Sequence, residues 1–103
     1  LQPPGFGRAP IMQIHRYPLT VSDRQVLRMP TGSKILSVVV VSRRDRVVLY
    51  ALVDDLTQES TTTDRIIRMY PTDVQVPNDP GVFLGTIQLN DGYVFQHVFE
   101  GAA

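Results

Sequence analysis

Histidine 97 lies in "DGYVFQHVFEG" (residues 91–101), among aromatic and β-branched residues and three positions ahead of Glu100. In a strand, side chains alternate between faces with period two. Tyr93, Phe95, His97 and Phe99 therefore share one face, and Val94, Gln96, Val98 and Glu100 take the other. An imidazole among aromatics can stack against a ring or base and hydrogen-bond its edge. The same placement suits a core or rim histidine satisfied by a backbone carbonyl, which is the reading the sequence favours because histidine is commonly structural. The candidate recognition surface is Tyr93, Phe95 and His97, with Glu100 closing the strand.

His15, the other histidine, shares a strand face with Gln13 and Tyr17. Two histidines with Asp54, Asp55 or Glu100 could ligate a metal only if folding gathered them, and no close ligand spacing predicts that. Arg43, Arg44 and Arg46 in "SRRDR" stand at an expected hairpin tip, where guanidinium groups can grip phosphate or carboxylate in two-bonded fashion. A solvated turn compensated by Asp45 is the plainer reading. Arg65 and Arg68, around Ile66 and Ile67, read as a charged edge that discourages strand addition.

Nucleophilic catalysis finds no support. There is no cysteine and no G-x-S-x-G elbow, and Ser33, Ser37 and Ser42 have no base at a recognised spacing. Asp54 and Asp55 are adjacent, so their side chains point apart rather than pairing as acid and base. No phosphate-binding glycine loop is present. The expectation is a protein that is not an enzyme and carries no cofactor.

The elements that would position these residues are strands. At 103 residues the chain fits one domain, and such a chain buries roughly two thirds of its unfolded surface. Without cysteine, stability must come from packing, and a reducing compartment such as bacterial cytoplasm is compatible. Ten basic and ten acidic residues cancel, which argues against nucleic acid, whose binding needs a basic footprint. Nine of the ten basic residues are arginine, a bias that high-GC coding also produces. The longest apolar run, Val38 to Val41, falls far short of the ~20 residues that span a bilayer, so no membrane partner is expected. Residues 1–10, rich in proline and glycine and preceding Met12, read as an upstream extension, a processing product or a remnant, forming an extended arm.

Short runs of Val, Ile, Leu, Tyr and Phe between turn signals predict six or seven strands and an all-β fold, a small mostly antiparallel sandwich or partly closed barrel over residues 11–101. Strands are expected at 11–19, ended by Pro18, and at 25–29. "ILSVVVV" (35–41), apolar on both faces, is expected to be a central strand and to pair with "VVLYALVDD" (47–55). "LTQESTTTD" and "PTDVQVPNDPG" read as loops around a strand at 65–70. A final hairpin joins 82–89 to 93–99, with a bulge or close approach at Gly85 and a left-handed Gly92 in its turn.

With the strands placed, the sequence resembles a family of small bacteriophage-encoded proteins catalogued as a domain of unknown function. The resemblance runs from about Gln13 to Gly101 and rests on "IHRYPL", "RMPTGSKILSVVV", "ALVDD" and above all "LGTIQLNDGYVFQHVFEG". It implies a phage protein acting during infection of a bacterium and brings no established active site. The expected function is a non-enzymatic accessory protein in the host cytoplasm, binding a host or phage protein or sequestering a small anionic signalling ligand, as an inhibitor of defence and as a homo-oligomer with pockets between copies. The alternative is a virion component, such as a capsid decoration or minor capsid protein, with the arm as a tether.

Overall fold

A computed structural model describes residues 11–41, 44, 46–54 and 61–101. Seven strands account for most of them: β1 (Met12–Leu19), β2 (Arg24–Pro30), β3 (Lys34–Val40), β4 (Val47–Asp54), β5 (Thr62–Pro71), β6 (Val82–Leu89) and β7 (Val94–Gly101). All pairings are antiparallel, and they divide into a three-stranded sheet β1-β4-β3 and a four-stranded sheet β2-β5-β7-β6. The arrangement is a sandwich, not a closed barrel.

Alternation decides what fills it. From β4 come Val47, Leu49, Ala51 and Val53, and from the facing sheet Met29, Ile67, Met69, Ile87, Leu89 and Val98; with Leu19 and Val38 they form one hydrophobic cluster. Burial of this apolar area is the main stabilising term.

β4, not β3, is the central strand of its sheet. "ILSVVVV" is instead a hydrogen-bonded edge, with Leu36 and Val41 exposed and the register slipping between Ile35 and Ser37. Its apolar character reflects a second neighbour of another kind, because β3 runs beside β6 where the sheets approach most closely. A continuous apolar run reports burial, not ladder position.

Strand ends moved for local reasons. Pro18 lies inside β1 opposite Val48, which an edge strand tolerates because one side of it has no ladder partner. Thr62, Thr63 and Asp64, expected in a loop, extend β5, where Thr63 pairs with Met29; β-branched threonine suits a pleated strand. That pairing also makes β5 an interior strand, so Arg65 and Arg68 do not guard an edge.

The β6–β7 turn runs through Asn90, Asp91 and Gly92 at φ 52°, 55° and 89°, three successive left-handed residues where only Gly92 is expected. Asparagine and aspartate tolerate that region better than other side chains. Tyr93 then falls outside the strand, its N–H donating to the Asn90 carbonyl at 3.1 Å. The bulge expected at Gly85 is present, as the register slips between Phe83 and Gly85.

Candidate functional site

Three rungs of the β6–β7–β5 ladder define the site. Phe83, Phe99 and Arg68 make one rung, Thr86, His97 and Tyr70 the next, and Gln88 with Phe95 the third. Met69 and Val98 point into the core from alternate positions, so these rungs face outward, away from the other sheet. The grouping of Phe95, His97 and Phe99 on one face holds. A core histidine is excluded, since His97 stands half-buried on the outer face of a sheet.

Its ring is held by two hydroxyls rather than by a backbone carbonyl. Thr86 Oγ1 lies 2.9 Å from Nδ1 and Thr72 Oγ1 2.8 Å from Nε2. A neutral imidazole donates from one nitrogen and accepts at the other, and a threonine hydroxyl can fill either role. Both polar atoms of His97 are thus engaged inside the protein, and what the site offers a partner is chiefly its aromatic surroundings.

Phe99 is the hub. Tyr70 meets it edge-on at a ring-centroid distance of 5.8 Å and Phe83 at 5.3 Å, the geometries favoured by ring quadrupoles. Phe83 is 57% exposed, Phe95 38% and Tyr93, on the adjoining turn, 83%. Beside Tyr70 and Arg68 a hollow of about 370 Å3 opens toward Val74 and Gln75.

Glu100 does not join this face. Alternation turns it to the core side, where Arg65 Nη2 donates to its Oε1 at 2.9 Å and Arg65 Nε donates to Oε2. Hydrogen bonding to Glu100 holds the Arg65 guanidinium above its ordinary range, against the opposing effect of burial. The pairing of His97 with Glu100 as one recognition surface is therefore corrected.

The arginine group is also divided from His97. Arg44 and Arg46 lie in the β3–β4 connection, on the other sheet, and both are exposed; Arg43 falls outside the described residues, as do Asp45 and Asp55. His15 belongs to β1 of that sheet too, its Nε2 3.0 Å from Gln13 Oε1 and its ring tilted against Tyr17. The two histidines are not brought together, and among the described residues no three potential metal ligands cluster.

Tyr70, Phe83, Thr72 and Thr86 were not among the candidates. No local signal joins them to His97, since they are 27, 14, 25 and 11 positions away in sequence, separations that only strand pairing closes.

Residues 11–103 match a family model described as "Domain of unknown function (DUF7352)". The chain belongs to that family. No curated protein and no solved structure matches the chain. For this member of the family, the outward aromatic rungs are the candidate surface.

Proposed function

We propose that this family member is a phage accessory protein that acts by binding, without chemistry of its own, and that the outer face of its four-stranded sheet docks a host protein during infection of a bacterium. The observation that carries this reading is the Tyr70–Phe99–Phe83 chain of edge-on rings on the face opposite the core, with Tyr70 and Phe99 half-buried and Phe83 and neighbouring Phe95 exposed. Aromatic residues with an adjacent arginine, here Arg68, are the types enriched where protein interfaces concentrate their binding energy. Interference with a bacterial defence is the role such a partner would give it.

The test places a photo-crosslinking benzoylphenylalanine at exposed Gln88, paired with Phe95, and at Leu52 on the outer face of the other sheet. In infected-cell lysate, position 88 should capture a discrete host protein and position 52 should not. Excess wild-type protein should compete the product away, whereas excess Phe83→Ser should fail to compete. Equal competition by Phe83→Ser would remove the aromatic face from the interaction, and capture of capsid protein would replace this reading with a structural role in the virion.

A further inference from the structure

On the other sheet, where β1 ends and β4 begins, lies a cavity of about 470 Å3 lined by Arg16, Pro18, Val41, Arg46, Val47 and Val48. Its floor is unusual for its position. Val48 alternates with the core residues Val47 and Leu49, so it lies on the outer face of the three-stranded sheet, yet it is only 6% accessible. Pro18, its partner across the β1–β4 ladder, shares that face with Arg16, two residues earlier on the same strand. Arg46 precedes β4, and its carbonyl accepts the Val41 N–H at 2.9 Å, which holds these two lining residues together across the β3–β4 connection.

Among the described residues that line it, the charged ones are Arg16 and Arg46, both positive. Carboxylates in the described ion pairs are taken by other arginines, Asp64 by Arg28 and Glu100 by Arg65. Neither Arg16 nor Arg46 has a carboxylate partner among the described residues. The chain as a whole is neutral, so the attraction for an anion is local to the two guanidinium groups. An apolar-floored hollow within the roughly 300–1,000 Å3 typical of small-molecule sites, with a few charged groups at its walls, has the make-up of a ligand pocket.

We infer that this cavity binds a small organic anion, its apolar body lying over Pro18, Val41 and Val48 and its phosphate or carboxylate oxygens held by Arg16 and Arg46. Guanidinium supplies planar paired donors matched to such oxyanions, which a lone ammonium does not. The site stands apart from the aromatic face and does not depend on it.

Phenyl phosphate is the probe, titrated into the isotope-labelled protein while backbone amide NMR shifts are followed. Saturable shifts should centre on residues 16–19, 41 and 46–48. Arg16→Gln and Arg46→Gln should each weaken binding at least tenfold with the spectrum otherwise preserved, while the control Arg28→Gln leaves it unchanged. Inorganic phosphate, lacking the apolar body, and benzyl alcohol, lacking the charge, should both bind at least tenfold more weakly. Equal binding of benzyl alcohol, equal binding of inorganic phosphate, unchanged affinity in both arginine variants, or shifts centred on β7 would each overturn the assignment.

Discussion

Arg65 and Glu100 grip one another across the β5–β7 pair on its core side, and the third nitrogen of Arg65, Nη1, donates to the Ser33 carbonyl at 2.7 Å. One guanidinium thus ties the β2–β3 turn to the middle of the four-stranded sheet. Ser33 is itself buried, and its hydroxyl donates to the Pro30 carbonyl. The two charged side chains are 19% and 21% accessible, so the cost of orphaning either should lie below the 3–5 kcal/mol of a fully buried pair. Glu100→Ala is expected to cost about 2 kcal/mol in urea unfolding. Arg65→Met combined with Glu100→Met should recover part of that loss, because no charge is left unpaired. A double variant less stable than Glu100→Ala would show that the Ser33 contact, not the ion pair, carries the effect.

Gly81 tests a close approach between the loop before β6 and the end of β7. A Cβ there would collide with the Glu100 carbonyl oxygen, at φ 102°. Gly32, at φ 84°, has nothing within 4 Å of the equivalent position. Gly32→Ala should therefore cost about 1 kcal/mol, the backbone term alone. Gly81→Ala should cost at least about 2 kcal/mol, since the contact is with backbone that cannot rotate away. Thermal melts of the two variants side by side give the comparison, and equal losses would refute it.

The exposed rings and the core should separate in stability measurements. Phe83→Ala loses one edge-on contact with Phe99 and is expected to cost about 1 kcal/mol. Leu49→Ala removes a side chain with no accessible surface and should cost about 3 kcal/mol. If Phe83→Ala proves as damaging as Leu49→Ala, the aromatic rungs are a second core rather than a surface for a partner.

His97 supplies a polar counterpart. Thr72→Val and Thr86→Val each remove one partner of its ring, and each should lower stability by about 1 kcal/mol in denaturant titrations. With both replaced, the loss should be less than additive if the ring reorients toward solvent, because the two bonds share one imidazole. A double loss well above the sum would instead mean that the histidine is trapped without partners.

Alkaline unfolding addresses Tyr17, whose phenol is pushed above its ordinary range by burial. A folded-state value raised above the unfolded one contributes stability that is complete below the unfolded value, about pH 10, and is lost as pH rises through the folded value. Tyr17→Phe should therefore match wild type in its pH dependence at neutrality and lose stability less steeply above about pH 10. Identical alkaline slopes would contradict desolvation of this half-buried phenol.

Several features of this protein are legible in the chain itself. Alternation and turn residues placed the strand Val82–Leu89 at its observed bounds, paired "ILSVVVV" with "VVLYALVDD", and put Phe95, His97 and Phe99 on one face. These follow from local rules, because the two-residue period of a strand and the backbone demands of a turn are set by neighbouring residues.

Which face is inside is another matter. Period two says that Val98 and Glu100 share a side, but only the position of the second sheet makes that side the core and leaves the aromatic side in solvent. Aromatic residues therefore pointed to the wrong interior, while Val98, flanked by Gln96 and Glu100, became fully buried. The same holds for partners. Glu100 stands near His97 in sequence, yet strand pairing hands it to Arg65, 35 positions away, and gives His97 to Thr72 and Thr86. Arg16 and Arg46 meet over one cavity because β1 lies beside β4, a pairing decided by tertiary packing and written in neither segment alone.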